Sequence, residues 1–118
     1  MALYTQGKAA RTRSYWADIK DTALHTVYTC PPNCNAELSF LHVVNVSGNN
    51  TVKITWYVSA DGYSSNFVGG KNLSASDTIT YSPMQLYLSP GDRIDAQTTS
   101  AGHLDIILSV TETFVPVG

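Results

Sequence analysis

The side chains best suited to redox or metal chemistry are two cysteines, Cys30 and Cys34, which flank the tripeptide Pro-Pro-Asn. Three residues separate them, whereas zinc knuckles and thioredoxin-type redox sites place two residues between their cysteines. The spacing allows either a local disulfide that pinches the turn or two free thiols, and synthesis in a cytoplasm favours free thiols at first. No second cysteine pair completes a tetrahedral site and the three histidines are scattered, so we expect no metal site and no cofactor.

Catalysis would require a nucleophile with a base or a pair of converging carboxylates, and the sequence shows neither pattern. Its acidic residues lie mostly at predicted turns, as Asp61 and Asp92 do, or at outward strand positions, as Glu37 does. His42 is predicted on the inner face of a strand, where a hydrogen-bonded core histidine is commoner than a ligand or a base. No Gly-x-Ser-x-Gly elbow and no phosphate-binding glycine loop is present. The sequence therefore predicts a protein that is not an enzyme.

The charge balance argues against a nucleic-acid-binding domain. The formal net charge is −2, whereas domains dedicated to nucleic acid are normally basic. No run approaches the ~18 apolar residues that a membrane span needs, and basic residues interrupt any signal-peptide-like segment near the start of the sequence. We therefore expect a chain that is synthesised in the cytoplasm and binds neither nucleic acid nor membrane.

Residues 1–23 differ in composition from the rest of the chain, because they are small, polar and basic and show no sustained periodicity. We predict an extended N-terminal arm, with a short strand near Ser14–Ile19. An exposed aromatic side chain is costly, so the arm should pack on this domain or on a partner. Removing residues 1–20 is expected to leave the domain folded. The residues predicted to form an interface are Leu3, Tyr4, Arg11, Arg13, Tyr15 and Trp16.

Residues 24–118 are predicted to form a single β-domain built from short strands with turns between them. The clearest alternation lies in Thr51–Val58, where Val52 and Ile54 point inward between polar neighbours. Ser89–Asp92 carries proline and glycine in the order of a type II turn. The pattern predicts an all-β, antiparallel β-sandwich of jelly-roll or immunoglobulin-like type, with seven to eight short strands.

The portion from Thr26 to Phe114 resembles a small β-sandwich domain found in virion structural proteins of tailed bacteriophages. The resemblance rests on turns and core positions in five segments, which are 27–33 with its proline turn, 41–49, 52–58, 88–94 and 102–112. The chain departs from the pattern by placing Cys30 and Cys34 around the proline turn and by adding the basic, aromatic arm. A docking role for the arm is therefore not part of the resemblance.

The resemblance implies a virion structural protein. Our hypothesis for its position is a non-enzymatic capsid decoration (cement) protein or a head–tail connecting component. Such a protein would dock to other virion proteins, namely major capsid, connector or tail subunits, through its N-terminal arm and the surface of its sandwich. It would form a homo-oligomer, a trimer or a ring, that buries remaining apolar edges. Its expected location is the virion, after synthesis in the host cytoplasm.

Two other functions stay open at this point. A tail-associated receptor- or glycan-binding module would use exposed tyrosines, for which the candidates are Tyr57, Tyr63, Tyr81 and Tyr87. A small glycan hydrolase would need two carboxylates that converge in a cleft. Saturable binding of a surface polysaccharide would favour the first function, and an acidic cleft would favour the second.

Overall fold

The computed structural model describes residues 10–99 and 102–115, which contain nine β-strands and no helix. None of these residues belongs to a helix long and apolar enough to cross a membrane. The strands are β1 (Ala10–Ile19), β2 (His25–Thr29), β3 (Cys34–Ser47), β4 (Asn50–Val58), β5 (Tyr63–Leu73), β6 (Thr78–Tyr81), β7 (Leu86–Leu88), β8 (Arg93–Thr98) and β9 (His103–Phe114).

The strands form two antiparallel sheets that pack face to face, which confirms the predicted antiparallel sandwich. One sheet has the order β1-β9-β3-β6, and β7 also pairs with β3, so β6 and β7 together occupy one edge. The other sheet has the order β2-β8-β4-β5. The chain passes repeatedly from one sheet to the other, and apart from the β4–β5 hairpin every pair of neighbouring strands is distant in sequence. This arrangement is that of a jelly-roll-like sandwich. We call the first the outer sheet because its solvent face carries the candidate site.

The core lies between the sheets and follows the period-two alternation of the strands. In β9, five alternate residues are buried, namely the apolar Leu104, Ile106, Leu108 and Val110 and the charged Glu112. In β4, Val52 and Ile54 are buried, as their alternation predicts. The residues that alternate with them along each strand mostly carry hydroxyl or charged side chains, as expected for a sheet with one face in solvent.

The strand β1 is part of the sandwich, which differs from the predicted division between an arm of residues 1–23 and a domain of residues 24–118. Its ten residues pair with β9 without a break, from Ala10 opposite Thr113 to Ile19 opposite Leu104. The inward side chains explain the difference, because Tyr15 and Ala17 pack against the core and Ile19 is fully buried. Leu3 and Tyr4, predicted as interface residues, lie outside the described part of the chain.

The turn at Ser89–Asp92 confirms the prediction made from its proline and glycine. The backbone N–H of Asp92 donates to the carbonyl of Ser89 (3.0 Å), and Gly91 has φ +88°, as the third position of a type II turn requires. The buried carboxylate of Asp92 accepts hydrogen bonds from the backbone N–H groups of Ser59 (2.9 Å) and Ser89 (3.0 Å). This turn therefore ties the β4–β5 connection to the start of β8.

Candidate interaction surface

The described residues predicted to form an interface lie on opposite faces of β1. Arg11, Arg13 and Tyr15 share the inward side of the strand, whereas Trp16 lies on its outward side, because successive side chains alternate. The guanidinium of Arg13 lies over the ring of Tyr15, 5.6 Å from its centroid. The structure therefore does not bring these four residues together on one docking face.

Arg11 and Tyr15, on the inward side of β1, attach this strand to the rest of the molecule through Glu112 of β9. The side chain of Glu112 is fully buried. Its carboxylate accepts hydrogen bonds from Arg11 Nε (2.7 Å), Tyr15 Oη (3.2 Å) and Tyr28 Oη (2.6 Å). The rings of Tyr15 and Tyr28 pack at 4.8 Å. Arg11 and Tyr15 are thus both engaged in hydrogen bonds within the chain.

The electrostatics of Glu112 follow from this network. Burial acts to raise the pKa of the carboxyl, but the hydrogen bonds from Tyr28, Arg11 and Tyr15 outweigh it, so the pKa lies below its usual value. The group is therefore a structural anion. With its lone pairs occupied, Glu112 is poorly placed to act as a proton donor to a substrate.

Trp16 begins a row of side chains that crosses three paired strands on the solvent face of the outer sheet. It lies opposite Ile107 of β9, which lies opposite His42 of β3. Trp16 is 72% exposed and Ile107 is 41% exposed. His42 stacks on Phe40 with ring centroids 6.2 Å apart. We call the set Trp16, Phe40, His42, Val44 and Ile107 the outer patch.

Two cross-strand pairs of β1 and β9, on one side of the outer patch, carry small hydroxyl side chains. The hydroxyls of Ser14 and Ser109 are hydrogen-bonded at 2.9 Å, and those of Thr12 and Thr111 at 3.0 Å. This face of the sheet therefore carries an aromatic and aliphatic patch with a polar margin. This composition is typical of a protein contact, where aromatic residues are enriched and charged residues are depleted at the centre.

His42 is on the outer face, which corrects its predicted position inside the sandwich. A β-bulge between Leu38 and Phe40 reverses the alternation along β3, so Leu38 is buried while Phe40 and His42 face outward. His42 Nδ1 lies 2.7 Å from Thr80 Oγ1 of the neighbouring β6. The bulge is what places an aromatic pair beside Ile107, and the strand's alternation alone does not reveal it.

The two cysteines are free thiols in the structure, and both are buried. Cys30 Sγ donates to the carbonyls of Cys34 (3.4 Å) and Leu88 (3.8 Å). Burial raises the pKa of the Cys30 thiol to about 11, and a thiol that stays protonated is a poor nucleophile. The pair lines the core below the proline turn and takes no part in the outer patch.

A groove opens where the edge strands of the two sheets diverge, on the side of the sandwich away from β1. It has a volume of about 310 Å³ and is lined by Trp56, Phe67, Met84 and Leu86 together with polar side chains of Ser65, Asn66 and Gln85. The indole Nε1 of Trp56 is buried and, among the described residues, is the one such side-chain atom without a hydrogen-bond partner. An unpaired buried donor would gain from an acceptor brought by a ligand.

Comparison with known proteins finds similarity in fold but none in sequence. No protein-family model matches the chain, and no curated protein matches it in sequence. A solved structure of Bacillus endospore appendages, described as disulfide-linked pili, matches with a TM-score of 0.57 and 12% identity over 92% of this chain and 91% of the other. The acid-stable capsid of the Helicobacter pylori bacteriophage KHP30 matches with a TM-score of 0.56 and 14% identity over 94% and 96%.

A third similar structure is the VP2 subviral particle of infectious bursal disease virus. The TM-score is 0.58 and the identity 12%, over 92% of this chain and 33% of the VP2 chain, so this chain spans about a third of that protein. At these identities the similarity is one of fold. The chain thus has the β-sandwich fold of subunits that build capsids and pili.

Proposed function

We propose that this protein is a non-enzymatic structural subunit of a bacteriophage virion, in a capsid-decorating or head–tail-connecting position. It docks to other virion subunits, including further copies of itself, through the outer patch. The observation that carries the proposal is the row of Trp16, Ile107 and His42 across three paired strands of a rigid sheet. Trp16 is exposed on the edge strand at one end of this row, and a large aromatic side chain is the kind on which protein contacts depend most.

Three further observations support the proposal. The fold is shared with a phage capsid chain of nearly the same length. The buried carboxylates of Glu112, Asp92 and Asp95 are all engaged by hydrogen-bond donors within the chain, which leaves them poorly suited to catalysis. A rigid jelly roll with strands bonded across the sheet presents the patch with little loss of conformational freedom on binding.

The test replaces Trp16 with alanine. Because Trp16 is exposed, Trp16→Ala should change the free energy of unfolding by less than about 0.5 kcal/mol. It should weaken particle binding about 30-fold, which corresponds to the loss of a contact of about 2 kcal/mol. The measurement is co-sedimentation of the purified protein with phage particles that lack it. Tyr63→Ala is the matched control, because Tyr63 is 65% exposed but lies on the other sheet.

Wild-type occupancy of the particles by Trp16→Ala would contradict the role of the outer patch. Equal weakening by Tyr63→Ala would show that any exposed aromatic matters and would likewise count against it. Absence of the chain from purified particles would reject the virion location itself.

A second candidate function is glycan binding by a tail-associated module, and the groove beside Trp56 favours it. The aromatic rings of Trp56 and Phe67, together with the amide groups of Asn66 and Gln85, suit a sugar, which offers apolar faces and many hydrogen-bonding groups. Jelly rolls also occur in lectins. Saturable binding of host surface polysaccharide that is lost in Trp56→Phe and Gln85→Ala, but kept in Tyr63→Ala, would support this function over the first.

A further inference from the structure

One cross-strand pair of β1 and β9, next to the outer patch, consists of two acidic side chains. Asp18 lies directly opposite Asp105, whereas the cross-strand pairs on the other side of Trp16 and Ile107 join serine to serine and threonine to threonine. Like charges directly opposite one another destabilise a sheet. A cation held between the two carboxylates would convert this repulsion into attraction.

A third donor converges on the same point. His103 Nε2 lies 2.8 Å from Asp105 Oδ1. One ligand atom from each of Asp18, His103 and Asp105 lies within 4.8 Å of the other two. Donor atoms around a tetrahedral zinc ion at ~2.0 Å are about 3.3 Å apart, so small side-chain rotations are enough to bring the three atoms to that spacing.

The backbone that carries these side chains is fixed. Asp18 and Asp105 lie within the paired parts of β1 and β9, and His103 lies opposite Ser47 of β3. A side chain at the preceding Gly102 would come within 2.6 Å of the Ser47 carbonyl, so the chain there is closely packed. Metal ligands on strands are held in more precise positions than ligands on loops.

We propose that Asp18, His103 and Asp105 form a binding site for a divalent first-row transition ion, with zinc as the best fit. One imidazole nitrogen and two carboxylate oxygens form a ligand set that zinc accepts. The imidazole disfavours calcium and magnesium, which prefer oxygen ligands. Three ligands leave a fourth position open toward solvent, beside the outer patch, for water or for a donor from a neighbouring subunit. The site does not depend on the proposed function.

Isothermal titration of the full chain with zinc chloride tests the site. We expect one ion per chain with a micromolar dissociation constant, no comparable heat with calcium, and a rise in melting temperature with zinc. Asp18→Asn and His103→Ala should each weaken binding more than about tenfold, because even residues that only orient metal ligands contribute about 10- to 100-fold.

The matched control is His25→Ala. His25 and Asp21 also form an imidazole–carboxylate contact, at 2.7 Å, but the described residues place no third ligand beside them. Zinc affinity should be unchanged in this variant. Asp18→Asn removes a like-charge pair, so the metal-free variant should be at least as stable as the wild type, which separates loss of the ligand from unfolding.

Three results would overturn the site. These are no saturable zinc binding by the wild type at millimolar concentration, unchanged affinity in His103→Ala, and an equal loss in His25→Ala. Unchanged affinity in His103→Ala would also point to zinc held elsewhere, for example by the buried cysteines.

Discussion

Glu112 is the residue that connects β1 most directly to the sandwich, because one buried carboxylate binds side chains from β1 and β2. Its charge is compensated by Arg11 and by two tyrosine hydroxyls. A buried carboxylate with this many donors stabilises the fold only while it is ionised. The network therefore makes the stability of the molecule depend on pH.

The sign of that dependence follows from the lowered pKa of Glu112. A carboxyl with a folded-state pKa below its unfolded value contributes stability that is present above the unfolded pKa and is lost as pH falls through the folded pKa. We expect the free energy of unfolding from urea titrations to fall progressively as the pH drops below the ordinary pKa of a glutamate, about 4.3. In Glu112→Gln the drop should be smaller, and stability at neutral pH should be lower by about 1–3 kcal/mol.

Glu37→Gln is the control for this prediction. Glu37 is the other glutamate of the chain, and it lies on the opposite face of the outer sheet, across from Thr111. Its replacement should leave the acid profile like that of the wild type. An unchanged profile in Glu112→Gln would mean that the network does not control the acid response.

At the scale of the element, β1 is an edge strand that the sandwich needs. Ile19 is buried and Tyr15 packs on Tyr28. Deletion of residues 1–9 should leave the melting temperature almost unchanged. Deletion of residues 1–20 should lower the free energy of unfolding by more than about 3 kcal/mol, because a buried isoleucine and a packed aromatic ring are lost. This replaces the expectation that the domain folds well without its first twenty residues.

Thermal and urea unfolding of the two truncated proteins measure this difference. A protein without residues 1–20 that unfolds at the wild-type midpoint would show that β1 is dispensable. A large loss on removing residues 1–9 would show that the segment before β1 makes contacts essential to the fold.

The elements differ in how well the sequence predicts them, and the reasons are physical. Thr51–Val58 alternates cleanly, and the structure pairs it as β4 with Val52 and Ile54 buried. The predicted face of His42 in β3 was wrong, because the bulge before Phe40 reverses the alternation and leaves no signal in residue type. β1 lacks a periodic apolar pattern, since several of its inward positions are arginine or tyrosine that hydrogen-bond or stack within the chain.

The outer patch could be predicted from the sequence only in part, because most of its residues come together through strand pairing. Trp16 stands out in the sequence as a large aromatic side chain that is costly to expose to solvent. Its neighbours Ile107 and His42 come from distant parts of the sequence, and the three residues meet only through the register of β1, β9 and β3. The Asp18–Asp105 pair with His103 depends on the same register. The sequence predicted no metal site because scattered histidines and aspartates carry no spacing signal until the strands pair.

At the scale of the whole molecule, the two faces of the sandwich have different properties. The outer sheet presents the outer patch with the Asp18, His103 and Asp105 cluster at its margin. The other sheet ends in the edge strand β5, where register shifts along β4–β5 and the positive φ of Gly70 interrupt regular pairing. Such irregular edges resist pairing with another chain. We therefore expect assembly through the face of the outer sheet and not through the edge of β5.

The most direct test is an electron cryomicroscopy map of the intact phage particle in which this chain is traced. The account predicts that Trp16 and Ile107 lie buried against another subunit in the occupied positions. A map in which both side chains face solvent in every copy, while the chain contacts its neighbours through the β2-β8-β4-β5 sheet, would contradict it.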